Sequence, residues 1–423
     1  MKSKLFLFII TITISLTQTF AQVEGEKYTP GRGFKIVNKD WGNVNFRLYS
    51  NIRYLNQIAL EDSFTNSFGK TTPIQKRQDI QLNKVIIYLF GWILDPKFHY
   101  LSYVWTTNVS QGLSAQVVVA GNLTYNFNEH ITLGAGIGGL PGTRSTEGNW
   151  PNWLAVDNRL IADEFSRPSY TTGIWANGNI VKGLNYNIML GNNLSQLGVD
   201  AGQLDNGLNT WSMSLVWMPT TGEFGNNGSY GDFDIHENPA TRFGLHFTTS
   251  DEDKQSQPNS EAIDNVQIRL SDGSIIFTPE LFGSGIAITN ARYNMVSFDA
   301  AVKYKGFSLE GEYFWRTVND IRGYGIEKLS FSNLVDNAFQ LQASSMIIDQ
   351  TLQIYLAGSK IFGEYGNPSD GRFGVNLYPF DNKAFRVNGE VIYLDKSPVG
   401  ALSLPYVVGG KGPVFHIDLE LNL

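Results

Sequence analysis

Residues 414–423 read VFHIDLELNL, and apolar and polar side chains alternate along them to the last residue. Five apolar side chains fall on one side: Phe415, Ile417, Leu419, Leu421 and Leu423. The residues between them are polar: His416, Asp418, Glu420 and Asn422. Because successive side chains of a β-strand point to opposite faces, the stretch predicts a strand with one polar and one apolar face.

The same period of two recurs along the chain. NVNFRLYSNIRY (43–54), TRFGLHF (241–247) and GFSLEGEYFWR (306–316) alternate in the same way. There are about 17 candidate strands, and 264–278 is the weakest of them because the turn sequence SDG interrupts it. Without that segment about 16 strands remain, an even number as in bacterial outer-membrane barrels.

Alternation alone fits a water-soluble β-sandwich or propeller as well as a membrane barrel. Three features favour the barrel. Trp and Tyr concentrate near strand ends, the polar faces carry many Arg, Glu, Asp and Asn, and tight turns alternate with long polar loops such as 248–264. The sequence therefore predicts an all-β fold, a transmembrane antiparallel β-barrel over 43–423 whose last strand pairs with its first.

The beginning of the chain predicts an export signal. Two lysines precede an apolar run over 5–16, and small residues follow, which indicates cleavage after Ala21. Residues 1–21 are therefore expected to be a signal peptide. The polar, Gly- and Pro-punctuated residues 22–42 are expected to form a periplasmic lead-in without a strand. A signal peptide before a barrel predicts the outer membrane of a Gram-negative cell.

One stretch interrupts the strand rhythm: LPGTRSTEGNWPNWLAVDNRLIADEFSRPSY, residues 140–170. Residues 157–165 are expected to form one or two helical turns, with Asp157 near their N-terminus. Such long connections are usually functional, and two interpretations stand: the segment folds into the barrel and narrows it, or it is an ordinary outer loop. The candidate constriction residues are Arg144, Glu147, Asp157, Arg159, Asp163, Glu164 and Arg167. The candidate lumen-wall residues are Arg47, Arg53, Arg242, Glu310, Glu312 and Arg316.

Four segments carry a family resemblance: RQDIQLNKVIIYLFGWILDPKFHYLSY (77–103), LGAGIGGLPGTR (133–144), DEFSRPSYTTGIWANGNIVKGLNYNIMLGNN (163–193) and SFDAAVKYKGFSLEGEYFWR (297–316). Together with the terminal strand, they resemble the phosphate-selective porin family, the porins O and P. The resemblance implies a 16-stranded, trimeric outer-membrane channel whose third outer loop constricts the pore.

The charge balance bears on the solute. The chain has 32 basic and 39 acidic side chains; without the signal peptide's two lysines the balance is 30 to 39, a net charge of −9. A narrow wet pore selects by the sign of its lining, and phosphate-selecting members of the family line their lumen densely with Arg and Lys. Opposed acids and bases here favour passive diffusion of small polar solutes or ions. Phosphate or other anions are what the resemblance implies.

Other functions find less support in the sequence. No GxSxG or HExxH motif occurs, so neither an enzyme nor a cofactor or metal site is expected. NNGSYGDFDIHEN (226–238) is interpreted as a solvated acidic outer loop, because it lacks EF-hand spacing. The acidic balance argues against nucleic-acid binding. Expected partners are outer-membrane lipid, small solutes or ions, and two further copies in a homotrimer. The alternative is a plugged or narrow barrel that acts in surface recognition through 219–240 and 248–290.

Overall fold

The computed structural model describes residues 33–107, 116–148, 150–196, 207–220, 224, 228–253, 268–401 and 403–423. The expected signal peptide over 1–21 lies outside these residues. Within them, no helix is long and apolar enough to cross a bilayer.

Nearly all of the regular structure is antiparallel β-sheet. The strands are β1 Phe34–Lys39, β2 Gly42–Asn56, β3 Ser63–Thr65, β4 Thr71–Pro73, β5 Gln78–Ile93, β6 Asp95–Thr107, β7 Gln116–Asn128, β8 Ile131–Gly139, β9 Tyr170–Val181, β10 Leu184–Gly191, β11 Thr210–Trp217, β12 Ala240–Asp253, β13 Ala287–Tyr304, β14 Phe307–Tyr324, β15 Leu334–Ile348, β16 Leu352–Phe362, β17 Ser369–Leu377, β18 Phe385–Asp395 and β19 Gly412–Asn422. One short α-helix, α1, spans Ile161–Ser166, and 3₁₀ turns span Arg144–Thr146 and Ile326–Lys328.

Sixteen of these strands form a closed barrel. β2 and then β5 to β19 each pair with the next strand along the chain, and β19 pairs with β2. The closing register runs from Phe415 opposite Asn56 to Asn422 opposite Tyr49, and the Leu423 amide donates to the Leu48 carbonyl at 2.9 Å. Closure satisfies the backbone groups that an edge strand would expose. The expected 16-stranded barrel with a last-to-first pairing is confirmed.

The alternation decides which face of each strand points inward. In β19, His416 and Asp418 are fully buried, whereas Phe415 and Leu419 are exposed. The same holds around the barrel, so the outer face is a band of exposed apolar side chains that includes Val119, Leu133, Leu245, Leu341 and Leu356. The polar faces point to the inside, as the period of two predicts.

The lead-in contains a strand that the sequence analysis did not expect. β1 forms a hairpin with the start of β2, with Phe34 opposite Phe46 and Lys39 opposite Gly42. It occupies the part of β2 that β19 leaves unpaired, because β19 reaches only as far as Tyr49. The expectation of no strand within 22–42 is therefore wrong: backbone pairing to a free stretch of β2 outweighs the polar composition.

The weakest candidate strand, 264–278, is indeed outside the barrel. Its described part forms only one isolated bridge, Arg269 to Ile275. Ile268, Leu270 and Ile276 are buried in an apolar cluster with Tyr406. The side chains that gave this segment its strand-like pattern thus pack within a loop cluster.

The two ends of the barrel differ. Tight turns such as 129–130, 182–183 and 305–306 join strands at one end, and the inserted stretch 140–169 lies at the other. Strand direction places the connection 218–239 at the tight-turn end. The interpretation of 226–238 as an outer loop is therefore wrong, because alternation of strand direction fixes the end at which each connection lies.

Candidate functional site

The segment 140–169, here called the inserted segment, lies inside the barrel against inward-facing side chains. Arg53 of β2 donates to the Val156 carbonyl at 2.8 Å, and Arg386 of β18 donates to the Trp153 carbonyl at 2.6 Å. Arg316 of β14 donates to the Phe165 carbonyl at 3.2 Å. Arginines from separate strands therefore hold the segment through its backbone, and they satisfy carbonyls that burial would otherwise leave without partners.

Local sequence explains the two turns of the segment. The Thr146 amide donates to the Thr143 carbonyl at 3.1 Å, which closes the 3₁₀ turn, and the Thr143 amide donates to the Thr146 hydroxyl at 3.1 Å, which caps it. α1 begins after Leu160 and ends before Pro168, which cannot continue a helix. Helical structure over 157–165 was expected, but Asp157 lies four residues before α1, with a positive φ of 47°. Asp157 binds a wall lysine instead of capping the helix.

The first predicted group, Arg144 and Glu147, is joined to the strand wall by ion pairs. Arg144 Nη2 lies 2.5 Å from Glu310 Oε2, and the Arg144 amide donates to Glu312 Oε1 at 3.1 Å. Arg242 Nη2 lies 2.5 Å from Glu147 Oε2. All five side chains are buried or nearly so, which makes the cluster a closed anchor and not a water-lined surface.

The wall side of this anchor includes two residues that the sequence analysis did not select. Asp299 accepts from Arg242 Nε at 2.9 Å and lies 2.8 Å from His246 Nε2. Both Asp299 and His246 are fully buried on inward faces. The alternation of their strands would have placed them inward, but it could not show that they share a cluster.

The second predicted group lies around α1. Arg167 Nη2 lies 2.5 Å from Glu164 Oε1, and Arg159 Nη1 lies 3.3 Å from Glu164 Oε2. Asp163 accepts from the hydroxyls of Thr143 at 3.2 Å and Ser145 at 3.0 Å. Burial raises the pKa of the Asp163 carboxyl, because a desolvated carboxylate is less stable than its protonated form.

Asp157 makes a further contact with the wall. Lys84 Nζ of β5 lies 2.7 Å from Asp157 Oδ1, and Trp150 Nε1 donates to the same oxygen at 3.1 Å. Lys84 also lies over the Trp105 ring, 4.7 Å from its centroid. Lys84 was not selected from the sequence, since a β-bulge between Asn51 and Ile52 shifts the register of its strand pair.

Other lumen-wall candidates act as anchors. Arg53 Nε lies 2.8 Å from Asp418 Oδ1, and Arg316 Nη2 lies 2.6 Å from Asp336 Oδ2. Arg53, Arg242, Glu310 and Arg316 are buried in ion pairs, and Glu312 is buried and accepts hydrogen bonds. Arg47 is the only candidate of this group that borders open space.

A second connection enters from the tight-turn end. The Tyr230 amide donates to the Asn152 carbonyl at 2.9 Å, and the Gly231 amide donates to Glu310 Oε1 at 2.8 Å. Asp232 is fully buried and accepts from the Gly306 amide at 2.8 Å and from His236. The interpretation of 226–238 as a solvated loop is wrong for Asp232, whose carboxylate closes a turn. In the described part of the chain, no three metal-ligating side chains come together.

Open space remains on the side of the lumen opposite the buried ion pairs that anchor the inserted segment. A cavity of about 280 Å³ lies between the inserted segment and the strands β2, β5 and β6; it is here called the aromatic cleft. Its aromatic lining is Tyr88, Tyr103, Trp105, Trp150, Trp153 and Tyr170. Its charged lining is Arg47, Lys84, Asp157, Arg159, Glu164 and Arg167. The inward faces of β5 and β6 are thus less polar than a uniformly wet lumen wall would be.

A second cavity of about 460 Å³ adjoins the cleft. Arg47, Tyr88 and Leu101 line both cavities. The second cavity extends to Asn43, Trp92 and His99, which lie near the tight-turn end of their strands. The two cavities therefore lie next to each other along one side of the barrel.

The barrel is similar to several solved structures. An anion-selective porin from Comamonas acidovorans aligns over 90% of this chain and 100% of its own, with a TM-score of 0.54 and 10% identity. The outer membrane channel DcaP of Acinetobacter baumannii aligns over 93% and 100%, with a TM-score of 0.53 and 9% identity. A trimer form of OmpT, an outer membrane protein of Vibrio cholerae, aligns over 91% and 100%, with a TM-score of 0.51 and 12% identity.

The likeness shows a shared fold. No protein-family model matches the chain, and no curated protein sequence matches it significantly. Membership of the phosphate-selective porins therefore stays a prediction.

Proposed function

We propose that the chain forms an outer-membrane channel for passive diffusion of small polar solutes or ions. The main support for a channel is that the closed barrel has an exposed apolar band on its outside and cavities on its inside. An apolar belt suits contact with hydrocarbon. Closure of the barrel satisfies the backbone groups internally, as a bilayer requires. The likeness to porins and channels of other bacteria supports the same function.

The proposal gives the inserted segment a role in narrowing the passage. It docks on the charged wall and leaves the aromatic cleft as the path for solutes. Arg47, Asp157, Arg159, Glu164 and Arg167 border that path. Arg144, Glu147 and Asp163 hold the segment in place instead. Residues 1–21 would direct export, the part of 22–42 that precedes β1 would lie in the periplasm, and the barrel would assemble as a homotrimer in contact with lipid.

Planar-bilayer recording on the purified mature protein tests the proposal. Discrete current steps are expected, and the reversal potential in a salt gradient then reports ion preference. A strong anion preference would favour phosphate or similar anions as the solutes. Absence of steps from folded protein would contradict a channel.

A second function has an observation in its favour. The inserted segment and the 218–239 connection enter the lumen from opposite ends and meet at Tyr230 and Asn152. A barrel plugged in this way would act in surface recognition. It would bind a partner through its long loops and carry no current.

A further inference from the structure

We infer that the aromatic cleft takes small planar organic acids, compounds with one carboxylate on a flat apolar ring. The inference rests on the proposed channel function and names the class of solute for that path. Six aromatic side chains, four cations and two carboxylates line the cleft, which gives it a net charge of +2. A solute that matches this lining carries a negative group and an apolar face.

The pairing of the charged groups shows which of them remain available. Asp157 is held by Lys84 at 2.7 Å and by Trp150 at 3.1 Å. Glu164 is held by Arg167 at 2.5 Å and by Arg159 at 3.3 Å. Both carboxylates of the cleft are therefore already satisfied, so the cleft offers few acceptors to the hydroxyls of a sugar.

Arg47 is differently placed. Among the described residues no carboxylate lies within 4.0 Å of its guanidinium, and its one hydrogen bond runs from Nε to Asn422 Oδ1 at 2.9 Å. Nη1 and Nη2 therefore remain free to donate to a carboxylate. The guanidinium carbon lies over the Tyr88 ring, 5.2 Å from its centroid, so the positive charge and an aromatic side chain are adjacent.

The position of Arg47 and Tyr88 allows these two side chains to discriminate between solutes. Arg47 and Tyr88 line both cavities, so a solute that moves from one cavity to the other passes them. A planar acid satisfies both groups at once, with its carboxylate on Arg47 and its ring on Tyr88. Inorganic phosphate satisfies the charge only, because it has no apolar face.

Equilibrium binding to the folded, detergent-solubilised protein tests the inference, with isothermal calorimetry as the measurement. Benzoate is the probe. Cyclohexanecarboxylate keeps the charge without the flat ring, benzamide keeps the ring without the charge, and inorganic phosphate has neither ring nor apolar face. Benzoate is expected to bind about tenfold more tightly than each of the three. Equal affinity for phosphate or cyclohexanecarboxylate would overturn the inference.

Variants locate the site. Arg47→Gln is expected to weaken benzoate binding about tenfold and to leave benzamide unchanged, because only the charge-assisted contact is lost. Tyr88→Leu is expected to abolish the preference for benzoate over cyclohexanecarboxylate. Arg292→Gln is the matched control, since Arg292 is exposed and paired with Asp251 outside the cleft. An unaltered benzoate affinity in Arg47→Gln contradicts the assigned site.

Current recordings separate this inference from the function on which it rests. Current steps without a benzoate preference would leave the channel in place and overturn the solute class. Benzoate binding that depends on Arg47, in a protein that carries no current, would support the ligand class and overturn the channel.

Discussion

Arg144 and Arg159 lie 15 positions apart on the inserted segment and have different environments. Arg144 is buried against Glu310 and borders no open space of the cleft. Arg159 lines the cleft and lies over the Trp153 ring, 4.2 Å from its centroid. The same residue type therefore serves as an anchor in one place and lines the cleft, the proposed solute path, in the other.

Substitution of each arginine by glutamine should separate these two roles. Arg159→Gln removes a positive charge from the path, so the reversal potential should shift toward cation preference with little change in stability. Arg144→Gln leaves Glu310 buried without its ion pair, which should lower the free energy of unfolding by about 3–5 kcal/mol. Unfolding in urea and bilayer recording measure the two effects. Equal effects of both variants on the reversal potential would contradict the assignment.

Asp163 gives a prediction for pH. Burial holds the pKa of its carboxyl above the value in the unfolded chain, so the folded protein keeps the proton to higher pH. The resulting stabilisation is complete below the unfolded pKa of about 3.9 and is lost as pH rises through the folded pKa. As the pH rises from 4 to 7, the free energy of unfolding of Asp163→Asn should therefore fall by less than that of the native protein. Thermal unfolding at the two pH values checks this; parallel losses would refute it.

β1 and β19 share the edge of β2, but they differ in importance for closure. β19 pairs with β2 from Asn56 to Tyr49 and closes the barrel, whereas β1 covers only the start of β2. Deletion of 22–39 should therefore leave a folded barrel. Deletion of 416–423 should prevent closure, because β2 and β18 would each lose a partner.

Heat-modifiable mobility in detergent gels measures the outcome of both deletions. The first variant should migrate as a compact species until it is heated, and the second should migrate as an unfolded chain. Loss of the compact species in the first variant would show that β1 is required for closure.

The elements also show what the sequence could predict. The period of two gave all 16 barrel strands, because lipid-like and lumen-like surroundings act on alternate side chains. It could not give β1, whose pairing depends on where β19 ends. Nor could it show that Lys84 meets Asp157 or that His246 meets Asp299. Those contacts depend on register and on which connections turn inward, and both are set by tertiary packing.

The lumen has two sides of different chemistry. Strands β12 to β19 contribute most of the buried acids and bases, which hold the inserted segment. Strands β5 and β6 contribute Tyr88, Tyr103 and Trp105 to the open side. The division leaves open space on one side of a crowded interior.

The outer belt gives a prediction of its own. Leu245 lies near the middle of β12 and is about half exposed. In a bilayer, Leu245→Arg should reduce the free energy of unfolding by about 2–4 kcal/mol, because a charge then faces hydrocarbon. Urea titration in liposomes measures it, with Leu245→Ala as the control. A loss no larger than that of the alanine variant would argue that water, and not lipid, surrounds the barrel.

Cysteine modification during bilayer recording tests most directly the claim that solutes pass along the aromatic side. The chain has no native cysteine, so single variants are unambiguous. Leu101→Cys places a thiol where both cavities meet, and Ser344→Cys places one in the buried charged side. An anionic methanethiosulfonate should reduce the current through Leu101→Cys and leave Ser344→Cys unchanged. A reduced current through Ser344→Cys, with an unchanged current through Leu101→Cys, would contradict a solute path along the aromatic side.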